Sequence, residues 1–198
     1  MFVSAILKGW QSYSPGLAQQ RLPWVQSKYP PTLKGLNLPR PLHTLVAMPQ
    51  SLANILVHTI FSTKDRHPYL RDKPLREELH RYLGGILTNI ACPPIIVGGA
   101  EDHVHLLNGL SRTCEPAAMV KELKRGSSLW LKTKAPEMKD FAWQSGYGIF
   151  SIGFSQIEMT RKYIERQEEH HRTVSFQDEL REFLRRYEVQ FDERYVWD

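Results

Sequence analysis

The chain has 198 residues, enough for one domain of ordinary size, and 41% of them are hydrophobic, which excludes wholesale disorder. Two cysteines, Cys92 and Cys114, are too few for a disulfide framework or a cysteine-based zinc site and suit a reducing cytosol, and no apolar run approaches the roughly 20 residues of a membrane helix. The net charge of +5 points to nucleic acid only until its distribution is read: residues 1–47 carry five basic residues and no acid, and the 21 basic and 21 acidic residues of 48–198 cancel.

The opening MFVSAILKGW has no basic region before its apolar stretch and no convincing cleavage signal, so it reads poorly as a secretory peptide. Residues 1–47 hold six of the 13 prolines and show neither helical nor alternating periodicity. Such a leader is either a flexible basic arm or upstream DNA translated from an early start codon, with Met48 the true first residue. Its composition favours the second reading, and 48–198 is then the working domain.

From Met48 every segment has a legible period. Residues 54–62 are rich in β-branched and aromatic side chains and predict a strand. Leu75, Leu79, Tyr82, Leu83, Ile86 and Leu87 recur at helical spacing, with Asp72 as the cap. PPIIVGG and DHVHLLNGL predict two strands joined as a hairpin at Ala100-Glu101. Val120, Leu123, Ser127, Trp130 and Leu131 mark a second helix, whose other side carries Lys121, Lys124 and Arg125. YGIFSIG at 147–153 predicts a fourth strand. The order βαββαβ is that of an α+β, ferredoxin-like sheet with helices on one face. Two further helices follow: one opened by a Ser155/Glu158 capping box and running to about His170, and one started by Ser175 and Asp178. The second carries Phe176, Leu180, Phe183, Leu184 and Tyr187 on one stripe.

His103 and His105, two apart in a predicted strand, share a face and can approach one metal ion, while Val104 and Leu106 turn into the core. Alone, the pair also fits a polar spot on an open sheet face. Tyr163 and Gln167, four apart, share a helix face, with Ile157 and Ile164 on a different stripe. Two imidazoles and an amide oxygen around a metal, with a phenol one turn away, make a coherent site for attacking a phosphodiester. Lys121, Lys124 and Arg125 are candidates for binding a DNA backbone; an ordinary exposed basic helix face has the same pattern.

On these residues, His103-Val104-His105 and the Y-x-x-x-Q of Tyr163 and Gln167, the chain from Met48 to Asp198 resembles the single-tyrosine HUH transposases of small bacterial insertion sequences and their REP-associated relatives. FSTKDR, WQSGYGIFS and the closing DERYVWD are also similar, whereas Asn108 stands where such sequences usually continue apolar. The resemblance implies C-terminal helices carrying a catalytic Tyr163, and a divalent metal, Mg2+ or Mn2+, on His103, His105 and Gln167. It implies single-stranded DNA with hairpin ends as substrate, a 5′-phosphotyrosine intermediate, and a cytoplasmic homodimer whose active sites are shared between subunits. Three other readings stay open on the residues: a non-catalytic nucleic-acid-binding module on the same sheet, a metal-dependent hydrolase using His103 and His105, and the same chemistry serving the host rather than a mobile element.

Overall fold

The computed structural model describes residues 52–197. The expectation that 1–47 is a leader therefore lies outside the described residues. The elements run β1 (Leu56–Ser62), α1 (Lys73–Asn89), β2 (Pro94–Gly99), β3 (His103–Gly109), α2 (Pro116–Leu131), β4 (Gly148–Ser151), α3 (Ile157–Glu165), α4 (Gln167–His170) and α5 (Phe176–Arg186). The strands form one antiparallel sheet in the order β2-β3-β1-β4, the ferredoxin-like arrangement that the βαββαβ order predicts.

Alternation along the two central strands divides the protein into two layers. Val57 and Phe61 of β1, with Val104 and Leu106 of β3, turn to one face and meet Leu79, Leu83 and Leu87 of α1 and Met119, Val120, Leu123 and Leu131 of α2. This is the larger core. It contains one polar tie that the helical stripe already hinted at: buried Ser127 accepts a hydrogen bond from Trp143 Nε1 at 2.9 Å. The helices start as their sequences require. Asp72 accepts from Leu75 N at 3.0 Å, and Pro74 and Pro116 sit in the first turn of α1 and α2, where a missing N–H costs nothing.

His58 and Ile60 of β1, and His103, His105 and Leu107 of β3, point to the opposite face. Two smaller apolar clusters cover it: Ile60 and Phe150 with Phe176, Leu180 and Leu184 of α5, and Leu107 and Ile152 with Ile164 of α3. The C-terminal helices thus close the face that α1 and α2 leave open. The close approach of α3 depends on Gly98 in β2, where an added Cβ would lie 2.7 Å from Ile164 Cγ2 and 2.9 Å from Ile164 O. Gly99, at φ +151°, turns the hairpin; any Cβ there would strike the His103 carbonyl.

Three local expectations need correction. The hairpin turn includes Asp102 as well as Ala100 and Glu101. The Ser155/Glu158 capping box does not form, because Phe154–Gln156 is already a 3-10 turn; Gln156 Oε1 instead accepts the N–H of Gly153 at 2.8 Å. The helix expected to run to His170 is interrupted at Arg166 (φ −102°, ψ 15°), so Tyr163 and Gln167 belong to successive helices, α3 and α4. Ser175, by contrast, caps α5 as expected, accepting from Asp178 N at 3.1 Å. Asn108, on the core face of β3, is fully buried; its Nδ2 lies 3.4 Å from Met119 Sδ.

Candidate functional site

The histidine face of the sheet is not open. His103 and His105 are fully buried beneath α3, α4 and α5. Each has a partner on Nδ1. His103 Nδ1 lies 2.6 Å from Asp102 Oδ1, and an ionised carboxylate only accepts, so this nitrogen holds the proton. His105 Nδ1 lies 3.0 Å from Nε2 of His58, whose ring stacks on it from the neighbouring strand. Both Nε2 atoms are thereby aimed at the helices.

Tyr163 and Gln167 arrive from the other side. The Tyr163 ring stands edge-on to His105, with centroids 6.0 Å apart, and Gln167 is almost fully buried with its Oε1 3.2 Å from His103 Nε2. The expected constellation of His103, His105, Tyr163 and Gln167 therefore comes together, despite the break at Arg166. It does so here within one chain.

Its organising residue is one that sequence reasoning passed over. Glu179, on α5 and 4% exposed, accepts hydrogen bonds on Oε1 from Tyr163 Oη and from Gln167 Nε2, the latter at 3.0 Å. Its Oε2 lies 3.4 Å from His105 Nε2 and 3.3 Å from His171 Nε2. One atom each from His103, His105, His171 and Glu179 all lie within 4.8 Å of one another. A signal for Glu179 exists in the sequence: it is three residues after Phe176 and four before Phe183, a carboxylate inside an apolar stripe. His58 had a fainter one, two residues from Ile60 in the strand that pairs with β3.

Burial sets the charges. It pulls the His105 pKa down to about 4 and lowers His58 well below its ordinary value, so both rings are neutral at pH 7. The Tyr163 phenol is pushed well above its ordinary value, first by burial and then by the Glu179 charge beside it. Burial alone would raise Glu179 too, but the surrounding imidazoles outweigh it and hold the carboxyl well below the usual carboxylate range. An ionised carboxylate thus sits beside the neutral His105 ring and a protonated phenol.

The residues fit a divalent cation. In its neutral form, with the proton on Nδ1, His103 presents a lone pair at Nε2 to the Gln167 carbonyl oxygen. Gln167 cannot turn to donate there without bringing its oxygen against the Glu179 carboxylate. Two acceptors facing each other at 3.2 Å are reconciled by a positive charge between them.

The basic residues of α2 stand elsewhere, on the helix that packs against the other sheet face. Lys124 donates to the carbonyls of Gln144, Ser145 and Gly146 at 2.8, 3.2 and 2.6 Å, and burial lowers its pKa to about 8. Its three protons are engaged, which leaves none for a phosphate. Arg125 is exposed and pairs with Glu122, and Lys121 is exposed.

Residues 51–167, more than half of the chain, match the protein family described as "Transposase IS200 like". The chain belongs to that family. The transposase is also similar to two solved structures. One, from Deinococcus radiodurans R1, is described as a candidate transposase: 25% identity, 61% of this chain and 96% of that one covered, TM-score 0.48. The other is a REP-associated tyrosine transposase bound to a REP hairpin: 13% identity, 64% of this chain and 76% of that one, TM-score 0.47. No curated protein matches the chain. Among the described residues of the transposase, no helix is long and apolar enough to cross a membrane.

Proposed function

We propose that this transposase cleaves and rejoins single-stranded DNA through Tyr163, at a site where His103, His105 and Gln167 hold a divalent metal. The observation that carries this reading is the convergence of the phenol of α3 and the two imidazoles of β3 on one buried carboxylate, Glu179. Tyr163 Oη attacks the scissile phosphorus; the Tyr–O–P bond forms as the P–O3′ bond breaks, and the 3′-oxygen leaves with a proton. A later 3′-OH reverses the exchange, so no ATP is needed. The phenol already donates a hydrogen bond to Glu179, which offers an acceptor for its proton where attack begins. A bound divalent cation would polarise the phosphate and offset the carboxylate charge that holds the phenol in its protonated form. Asp102 and His58 fix the ring orientations of His103 and His105.

The substrate in this reading is a hairpin-ended single strand, and the setting is the cytoplasm. Lys121 and Arg125 are proposed to touch its backbone. A homodimer is compatible with the reading, with each chain carrying a complete site. Residues 1–47 are proposed to be dispensable, so that a chain starting at Met48 folds and cleaves as the full one does. The rival binding-module reading leaves the buried Tyr163–Glu179–His105 arrangement without a purpose.

The test is a hairpin oligonucleotide incubated with the transposase and Mn2+, followed by mass spectrometry of the trapped product. A 5′-phosphotyrosine at Tyr163 is expected. Attachment at another tyrosine sinks the assignment, and metal-dependent cutting without any adduct replaces the transposase mechanism with hydrolysis.

A further inference from the structure

Three buried atoms around Glu179 lack a hydrogen-bond partner: His105 Nε2, His171 Nε2 and Glu179 Oε2. They face one another, with Glu179 Oε2 3.4 Å from the first nitrogen and 3.3 Å from the second. A buried polar group left unsatisfied is costly, so three at one point call for a specific occupant.

Proton placement says what that occupant is. His171 Nδ1 lies 2.7 Å from the carbonyl oxygen of Val174. A carbonyl only accepts, so Nδ1 carries a proton and Nε2 is the nitrogen turned towards Glu179, a lone pair open to a cation in the neutral ring. His103 is fixed in the same tautomer by Asp102. When His58 accepts from His105 Nδ1, His105 Nε2 is a lone pair as well. Four acceptor atoms then converge within 4.8 Å of one another. One proton would bridge a single one of these contacts and leave the others opposed, whereas a dication meets all four. His103 and His171 carry on the far nitrogen the partners that ligating histidines use, a carboxylate and a backbone carbonyl, and His105 is held by the His58 ring.

We propose that His171 and Glu179 are metal ligands together with His103 and His105, forming a buried centre of three imidazoles and one carboxylate that takes a first-row transition-metal dication in preference to Mg2+. The inference rests on the reading above that His103 and His105 hold a metal. It changes that reading in two respects. Three nitrogen donors suit a transition metal, whereas Mg2+ favours oxygen ligands and keeps several waters. Gln167 gains a second role beside the one its Oε1 has at His103, donating to Glu179 Oε1 and so turning Oε2 towards the imidazoles. The ion would also fasten β3 to the turn before α5 and to α5 itself.

The test uses the full chain, stripped of metal and titrated with Co2+, reading both calorimetry and the visible absorption of the bound ion. The wild type is expected to bind one Co2+ per chain, and a hundredfold molar excess of Mg2+ over Co2+ should leave the spectrum unchanged. His171→Ala and Glu179→Gln are each expected to weaken Co2+ binding at least tenfold and to alter the spectrum, as His105→Ala does. Glu179→Asp, which keeps the charge and withdraws it by one methylene, serves if Glu179→Gln does not fold. It too should shift the spectrum. If His105→Ala abolishes binding while the His171 and Glu179 variants bind as the wild type, the inference is overturned and the two-histidine site stands. If the wild type takes up no Co2+, the metal reading falls with it, and the adduct experiment still judges Tyr163 on its own.

Discussion

The two faces of the sheet are built from the same strands and do opposite work. On β3, Val104 and Leu106 pack into an apolar layer under α1 and α2, while His103 and His105, which alternate with them, are buried under α3 to α5 with a carboxylate, an amide and a phenol. Both layers exclude water. The first does so with side chains that gain from it, at roughly 25 cal/mol per Å² of apolar surface. The second buries groups that lose by it and are held in place by the apolar clusters flanking them, Phe176, Leu180 and Leu184 on one side and Ile164 on the other. Stability and chemistry are thus separated by the two-residue period of a strand.

The sharpest way to break this comparison is one substitution on each side. Tyr163→Phe removes only the phenolic oxygen and should eliminate the DNA adduct outright. The change in unfolding free energy should stay within about 1.5 kcal/mol, the scale of one hydrogen bond. Leu83→Ala, in the fully buried stripe of α1, should cost about 2–5 kcal/mol in denaturant unfolding yet leave adduct formation per folded molecule intact. If Tyr163→Phe unfolds the protein, or Leu83→Ala abolishes the adduct in molecules that remain folded, the separation is false.

Next in size is the origin of the site's two halves. Because Tyr163 meets the His105 of its own chain, mixing Tyr163→Phe chains with His105→Ala chains should restore no cleavage. Recovery towards one working site per mixed dimer would mean that the tyrosine helices exchange between subunits.

Acid should weaken the histidine layer. The folded-state pKa of His105, about 4, lies below its ordinary 6.5, so between these values the unfolded chain takes up the proton first. Stability of the metal-free protein should therefore fall as pH drops from 6.5 to 4, by ~3 kcal/mol from this residue. Glu179, depressed below its ordinary value, adds a loss of the same sign at lower pH as its carboxylate is titrated. His80 of α1, also lowered to about 4 by burial, contributes in the same window. Thermal unfolding against pH should show a shallower acid slope in His105→Asn than in the wild type; equal slopes would remove His105 from the account.

The smallest expected effect concerns α2. Lys124→Met should lower stability by about 1 kcal/mol, through the loop at Gln144, Ser145 and Gly146, without changing the salt dependence of DNA binding. Lys121→Gln should reduce that dependence. The reverse pattern would return Lys124 to the DNA.

Much of the architecture was legible because it is written in periods. The alternation in HVHLL and the helical spacing of Leu79, Leu83 and Leu87 need no tertiary information. What escaped is tertiary in origin. TRKYIERQEEHH contains neither glycine nor proline, and nothing local marks a break at Arg166, where α4 begins with Gln167 turned inward to Glu179. Ser155 and Glu158 have capping-box spacing, yet the 3-10 turn before α3 takes Ser155 out of the cap position. Glu179 was overlooked because a carboxylate on a helix is ordinarily solvated; only its place within the apolar stripe marks it, and only the fold reveals three histidines beside it. His103, His105, Tyr163 and Gln167 were found through their spacing and resemblance, and these four do meet in one place.

Gly98 has a consequence for anyone surveying variants of this transposase. With Ile164 O 2.9 Å from where a Cβ would stand, no other residue fits until α3 retreats from the sheet, and α3 carries Tyr163. A selection that scores only survival of transposition would therefore rank Gly98 beside His105 in intolerance, although one carries a functional group and the other carries none. Telling them apart takes a second axis, the abundance of folded protein for each variant. His105 substitutions should fall on activity alone, and Gly98 substitutions on both.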